Sequence, residues 1–241
     1  MIAISAPQLI SIWETGINQH PLERPITMLT LTSSAPGETL EKLSIGQRNA
    51  ELIQLRKTIF GQSLVCVVAC PFCQESLEFT LNLNELEQSH STAATQSIKI
   101  NEFEIIFRSI TTADLLAIRN CHEIAQATRQ LLQQCVLNCC QSQQVIPLKQ
   151  LPDSVVDALA KEMSACDPQA ELLLNLACTV CEEKWQAPLD IATIIWEEIQ
   201  QKALQLLNEV HQLASAYGWL EQDILALTPQ RRQFYLNKYY E

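Results

Sequence analysis

The chain has 241 residues, 47% of them hydrophobic, with only 5 glycines and 10 prolines, so it can bury a substantial core and is not a disordered protein. Its formal net charge is −11 and its 16 basic residues are scattered, which argues against nucleic acid or an anionic membrane surface as partner and favours a protein. No apolar run reaches the ~18 residues of a spanning helix, and the N-terminus lacks the basic region of a signal peptide. We therefore expect a cytoplasmic protein without membrane insertion, whose 10 cysteines stay reduced.

Helical patterns fill the N-terminal part of the chain. The predicted helices cover residues 7–16, 22–31 and 44–61. Ser44 and Gln47 have the spacing of a capping box, and Gly61 is suited to end the third helix. These patterns predict an all-helical N-terminal unit over residues 1–62.

Two Cys-x-x-Cys motifs stand about a hundred residues apart in the sequence. The motifs are Cys70-Pro71-Phe72-Cys73 and Cys178-Thr179-Val180-Cys181. A short apolar run precedes each motif and an alternating run follows it, which is typical of strand, turn and strand. Four thiolates form the complete tetrahedral shell of a structural zinc site, so we predict that both motifs meet on one zinc ion. Iron, a disulfide pair and four buried thiols are the alternatives, and no electron-transfer motif accompanies iron.

The usual gap between two such motifs is only ~15 to 20 residues, so a long insertion is expected here. Residues 87–96 read as a loop, and the strand predicted over 98–110 should extend the sheet of the two metal hairpins. Apolar residues at three- and four-residue steps then predict one long helix from Thr112 to about Cys140. A second helix is predicted over 153–165, with Asp153 as its cap, so the insertion should be an α-hairpin. Three cysteines on the apolar stripe of the predicted long helix are interpreted as small buried hydrophobes: Cys121, Cys135 and Cys139.

The C-terminal part is dominated by a predicted helix over 191–217, which Gly218 ends. A short helix over 221–227 and a last helix capped by Thr228 should follow. Aromatic residues and arginine, which dominate interface hot spots, are dense after Gly218 and predict an interaction arm; the alternative is that they pack back on the long helix. The candidate contact residues are Trp219, Arg231, Arg232, Phe234 and Tyr235, with Lys238, Tyr239 and Tyr240 beyond them.

No set of residues predicts catalysis. The four histidines lack a spaced second ligand or nucleophile, and no phosphate-binding glycine loop or hydrolase motif is present. We expect no enzyme activity and no small-molecule substrate. The predicted fold is α+β and predominantly helical: a small zinc-ribbon-like antiparallel sheet with a helical insertion, flanked by helical arms. The expected segments are 1–62 for the N-terminal helices, 63–112 with 170–190 for the β unit, 113–169 for the insertion and 191–241 for the C-terminal helix and arm.

Three stretches of the chain resemble the T-even-phage-type baseplate proteins of contractile phage tails and phage-tail-like contractile injection systems. They are Leu43–Phe60 with Ser44-Ile45-Gly46-Gln47-Arg48, Pro168–Ile191 with the second motif and Trp185-Gln186-Ala187-Pro188-Leu189-Asp190, and Leu213–Leu236. The four motif cysteines match the paired knuckles of that family. The resemblance implies a non-enzymatic baseplate role in an assembled contractile particle, with baseplate, hub, spike or sheath subunits as partners.

Two functions of different classes follow from this resemblance. The preferred one is a permanent, zinc-stabilised structural subunit that docks its neighbours. The other is a transient chaperone or adaptor for assembly of the baseplate hub. A ribbon-containing enzyme or nucleic-acid factor is a third possibility, which the acidic charge and the missing catalytic residues argue against.

Overall fold

The computed structural model describes residues 4–33, 36–86, 95–142 and 144–240, except for the side chains of 239 and 240. The predicted loop over 87–96 therefore lies mostly outside the described residues. Two compact units are present, one formed by Met1–Ser34 with Ala192–Glu241 and the other by Ala35–Ile191. Within the described residues, no helix has both the length and the apolar character needed to cross a bilayer.

The chain has a mixed α+β fold in which most of the predicted helices are present. The helices are α1 (Ala6–Gly16), α2 (Arg24–Thr32), α3 (Gly37–Glu41), α4 (Ile45–Phe60), α5 (Thr112–Ile118), α6 (Ile124–Cys135), α7 (Asp153–Cys166), α8 (Ile191–Tyr217), α9 (Glu221–Ala226) and α10 (Pro229–Tyr240). The strands are β1 (Ser63–Ala69), β2 (Ser76–Asn82), β3 (Gln96–Ile100), β4 (Phe103–Phe107), β5 (Val136–Gln141), β6 (Gln144–Val145), β7 (Leu173–Ala177) and β8 (Lys184–Pro188). The short helix α3 was not predicted.

In the first unit, Trp196 of α8 joins the two N-terminal helices. Helix α1 begins with a capping box between Ser5 and Gln8. At its other end, a Cβ atom on Gly16 would lie 2.5 Å from the ring of Trp196, so only glycine allows this approach. The Arg24 guanidinium of α2 lies 4.6 Å from the centre of the same ring and donates to the Gly16 carbonyl at 3.2 Å.

The described residues of the second unit form three separate antiparallel sheets: the hairpin β1–β2, the hairpin β7–β8, and a four-stranded sheet in the order β3-β4-β5-β6. The single strand predicted over 98–110 is wrong. It is the hairpin β3–β4, which turns at Asn101 (φ +55°) and does not extend the two cysteine hairpins. The apolar alternation changes phase between Ile100 and Phe103, and their pairing in the hairpin puts both on the same face.

The predicted long helix from Thr112 to Cys140 is also wrong. In the structure, α5 ends at Ile118 and a separate helix, α6, begins at Ile124. The chain becomes extended at Val136 (φ −78°, ψ 120°). Cys135 and Cys139 are buried as expected, but Cys139 lies on β5 opposite Ile105 of β4. A four-residue step fits one helix face and also one strand face, so this spacing could not separate the two structures. The insertion is therefore a mixed α/β element instead of an α-hairpin.

The inner face of the four-stranded sheet packs against α6 and α7. The buried residues of this core are Phe103, Ile105, Phe107, Leu132, Cys135, Cys139, Leu151, Val155, Leu159 and Met163. The inward positions predicted for α7 are thus confirmed at Val155, Leu159 and Met163. Asp153 is the first residue of α7 but makes no capping hydrogen bond; its carboxylate pairs with Arg129 at 2.7 Å on the surface.

Candidate metal centre and interaction surface

The first Cys-x-x-Cys motif is the turn between β1 and β2. The backbone N–H of Cys70 donates to the carbonyl of Glu75 at 2.8 Å, and the N–H of Gln74 donates to the carbonyl of Cys70 at 2.9 Å. Gln74 has a positive φ of 63°, which closes the turn directly after Cys73. This backbone geometry directs both thiols of the motif to the same side of the turn.

The second motif, between β7 and β8, repeats this hydrogen-bond pattern. The N–H of Cys178 donates to the carbonyl of Glu183 at 2.9 Å, and the N–H of Glu182 donates to the carbonyl of Cys178 at 3.1 Å. Glu182 has a φ of 62°, and it occupies the position that Gln74 has in the first turn. Neither position carries glycine, so the sequence gives no sign of this left-handed residue.

The four cysteine sulfurs come together, and all lie within 4.8 Å of one another. The Sγ atoms of Cys70 and Cys181 are 3.7 Å apart, and those of Cys73 and Cys178 are 3.6 Å apart. A tetrahedral site with metal–sulfur bonds of about 2.3 Å requires sulfur separations of about 3.8 Å. These distances are much longer than a disulfide bond of about 2.05 Å. The predicted meeting of the two motifs is confirmed, and its geometry is compatible with a metal site.

The pKa values of two of these thiols are also consistent with a cation bound between them. Hydrogen bonds from the backbone amides of Cys181 and Val180 lower the pKa of Cys178 to about 7. The amide of Glu183 acts in the same direction on Cys181, but burial and hydrogen bonds with the other three thiols outweigh it and raise the pKa of Cys181 to about 12. One thiolate forms readily here, whereas further thiolates beside it need a compensating positive charge.

A buried polar cluster that the sequence did not predict joins the bases of the two hairpins. Asn49 of α4 donates to the backbone carbonyl of Gln169 at 2.9 Å, and the Gln169 side chain donates to the carbonyl of Leu86 at 2.6 Å. Leu86 follows β2 and Gln169 precedes β7, so these bonds hold together the chain leaving one motif and the chain entering the other. Asn49 and Gln169 lie in two of the stretches that resemble baseplate proteins, and this location was the feature of the sequence that could have pointed to them.

The start of α4 is fixed by the same region. The N–H of Gly46 donates to the carboxylate of Asp167 at 3.0 Å, which places a negative charge at the N-terminus of the helix. A Cβ atom on Gly46 would lie 1.9 Å from Asp167 Oδ1, so the contact requires glycine. Arg48 is buried and donates to Thr112 at 3.2 Å and to Asn49 at 3.0 Å.

Among the described side chains of the candidate interaction arm, Trp219 and Tyr235 pack on each other and on Tyr217 in the first unit. The ring of Trp219 stacks on Tyr217 at 4.9 Å and meets Tyr235 edge-on at 4.8 Å. This arrangement corresponds to the alternative in which these side chains pack back on the long helix. Phe234, in contrast, is 58% exposed, and Arg231 is exposed as well. The side chains of Tyr239 and Tyr240 lie outside the described residues.

Arg232 differs from its neighbours because its side chain is buried and only 3% exposed. Its Nε donates to the Glu209 carboxylate of α8 at 2.7 Å, and its Nη1 donates to the carbonyl of Leu227 at 2.6 Å. The guanidinium therefore holds α10 against α8 and is not available at the surface for a partner. This corrects the grouping of Arg232 with the exposed contact residues.

We expect Arg232→Ala to lower the free energy of unfolding by about 3 kcal/mol, because removing one member of a buried ion pair leaves the other charge without compensation. Arg231→Ala is the matched control and should change stability by less than about 0.5 kcal/mol, as surface substitutions do. Urea denaturation of the two variants measures the difference. Equal unfolding midpoints would contradict the assignment of Arg232 to the core.

Comparison of the chain with known proteins identifies a family. The family model described as T4 bacteriophage base plate protein matches residues 26–196, which is more than two thirds of the chain and includes both cysteine motifs. No curated protein and no solved structure matches the chain. Two of the three stretches that carried the resemblance lie within the matched residues, and the stretch 213–236 follows them. The chain therefore belongs to the T4 bacteriophage base plate protein family.

Proposed function

We propose that the protein is a non-enzymatic structural subunit of the baseplate of a contractile phage tail or phage-tail-like injection system. In this proposal a zinc ion joins the two cysteine hairpins, and exposed residues dock neighbouring baseplate, hub, spike or sheath subunits. Family membership supports a structural baseplate role and incorporation into a tail particle. The observation that carries the zinc assignment is the convergence of four sulfurs from motifs separated by residues 74–177.

The donor set favours zinc in a structural role. Four thiolates are typical of zinc or iron–sulfur sites, and zinc needs no redox partner. A shell completed by Cys70, Cys73, Cys178 and Cys181 leaves no open position for water or substrate. Such a site stabilises the fold and does not activate a ligand.

The small number of buried residues in the hairpins supports a metal cross-link. Leu64 is the one buried residue among those of β1, and β2 and β7 contain none that is fully buried. An isolated two-stranded hairpin is marginally stable in water. A bound ion would therefore supply the cross-link that the small apolar core does not.

The arm contributes the docking part of the proposal through Phe234 and Arg231. Both are exposed, and aromatic and arginine side chains are the residue types that dominate binding energy at protein interfaces. Tyr235 and Trp219 are half-buried; the ring of Tyr235 contacts that of Phe234 at 5.5 Å, and Trp219 contacts Tyr235 at 4.8 Å. Arg232 fixes the helix that presents them.

Quantitative mass spectrometry of purified mature tail particles tests this function. We expect the wild-type chain in a fixed ratio to the other baseplate proteins, and we expect Phe234→Ser to be incorporated about tenfold less, the effect of losing about 1.4 kcal/mol. Leu204→Ser is the matched control, since Leu204 is 49% exposed on α8, and it should enter particles normally. A wild-type chain present in assembly intermediates but absent from mature particles would favour the transient chaperone instead.

A further inference from the structure

Both cysteine turns expose an apolar side chain at the same position. Phe72 and Val180 are the third residues of their motifs, and they are 60% and 64% exposed. The sulfurs of the two motifs lie within 4.8 Å of one another, so the two turns are neighbours. We call the exposed residues Pro71, Phe72, Thr179 and Val180 the knuckle tip. Two turns that meet at one sulfur cluster therefore each carry an exposed apolar side chain, and grouped exposed apolar side chains are a feature of protein interaction sites.

The surroundings of the knuckle tip are acidic. Within residues 69–76 and 177–184, the charged side chains are Glu75, Glu182, Glu183 and Lys184, and all four are exposed. A divalent ion bound by four thiolates adds a net charge of −2 to this end of the hairpins. With the proposed ion bound, the tip therefore carries two exposed apolar side chains within a negatively charged surface.

The exposed apolar side chains and the negative charge together determine which class of partner the knuckle tip can bind. Phosphate backbones and anionic lipid headgroups are repelled by such a surface, which excludes nucleic acid and membranes. The apolar pair gains free energy only in a site that removes it from water. We propose that the knuckle tip docks into an apolar pocket of another protein, and that lysine or arginine side chains border this pocket. Phe72 and Val180 enter the pocket, and the three carboxylates pair with the surrounding cations.

The proposed metal site lowers the entropic cost of such a contact. The two tip residues stand on turns that the backbone hydrogen bonds and the four sulfurs hold in place, so binding orders few additional bonds. The inference rests on the proposed zinc site, because the ion fixes the two turns side by side and sets part of their charge.

Photo-crosslinking in assembled tail particles identifies what covers the tip. With p-benzoylphenylalanine in place of Phe72, we expect a crosslink to a different protein, on a peptide that contains lysine or arginine. The same amino acid in place of Ile124, which is 85% exposed on α6, is the control and should not mark that peptide. No crosslink in particles, a crosslink to a second copy of this chain, or a crosslinked peptide without a basic residue would each overturn the proposal.

A double variant measures how much the tip contributes. Phe72→Ser with Val180→Ser should reduce incorporation into particles at least about tenfold. Ile124→Ser with Val145→Ser should not, because Ile124 and Val145 are even more exposed but do not belong to the knuckle tip. Zinc content and melting temperature of both double variants should equal those of the wild type. Normal incorporation of the tip variant would overturn this inference alone. A wild-type protein that lacks zinc or is absent from particles would instead overturn the proposed function.

Discussion

Cys178→Ser is expected to release the metal and to unfold or aggregate the two cysteine hairpins. Structural zinc sites contribute on the order of 10 kcal/mol of binding free energy in peptides, which is comparable with the whole stability of a typical domain. The hairpins have few buried residues to compensate for this loss. Elemental analysis of the purified variant and its thermal unfolding measure the effect.

Cys135→Ser is the matched control, because Cys135 is also buried but lies outside the sulfur cluster. Burial raises the pKa of Cys135 to about 12, so the thiol is neutral and a hydroxyl group can replace it near Asp114. We expect about one equivalent of zinc and a much smaller decrease in melting temperature. Equal melting temperatures for the two variants, or less than about half an equivalent of zinc or iron in the wild type, would contradict the metal assignment.

Gly46→Ala is expected to destabilise the second unit by about 2 to 4 kcal/mol, from overpacking and from the loss of a hydrogen bond to a charged group. The added methyl group would lie 1.9 Å from Asp167 Oδ1, so the carboxylate must leave the N-terminus of α4. The better helix propensity of alanine returns no more than about 1 kcal/mol. Denaturant unfolding of the variant checks this value.

A double-mutant cycle identifies the cause of this effect. Asp167→Ala alone should cost about 1 to 2 kcal/mol, as the loss of a helix cap does. The variant with both Gly46→Ala and Asp167→Ala should be nearly as stable as Asp167→Ala, because the carboxylate that clashes with the methyl group is gone. Strictly additive effects would show that the glycine is required for another reason.

Local chemistry made the cysteine hairpins and the long helix predictable. Each motif lies between two short strands, and the alternation on either side shows this without knowledge of the fold. Helix α8 has the bounds that its apolar period indicates, Ile191–Tyr217, and Gly218 follows with a φ of 68°. At these places, propensity, pattern and turn chemistry all indicate the same structure.

The errors have a different physical origin, because they depend on contacts between distant residues. Cys135 and Cys139 are four residues apart, and only the pairing of β5 with β4 decides that the second of them lies in a strand. The bond from Asn49 to Gln169 spans 120 residues and leaves no periodic pattern in the sequence. The left-handed conformation of Gln74 and Glu182 is likewise imposed by the hydrogen bonds of the turns.

The separation of the two cysteine motifs has a consequence for the order of folding. Cys73 and Cys178 are 105 residues apart, so at about 5–20 residues per second a ribosome releases the first pair of thiols roughly 5–20 s before the second. Closing so long a loop is entropically costly, and local structure within the insertion can form much sooner. We therefore expect the insertion to fold first and to bring Leu86 and Gln169 together, so that a complete set of four ligands exists only after that step. With the proposed zinc site, we expect metal capture to be the last event in the folding of this unit and to stabilise the structure formed in the preceding steps.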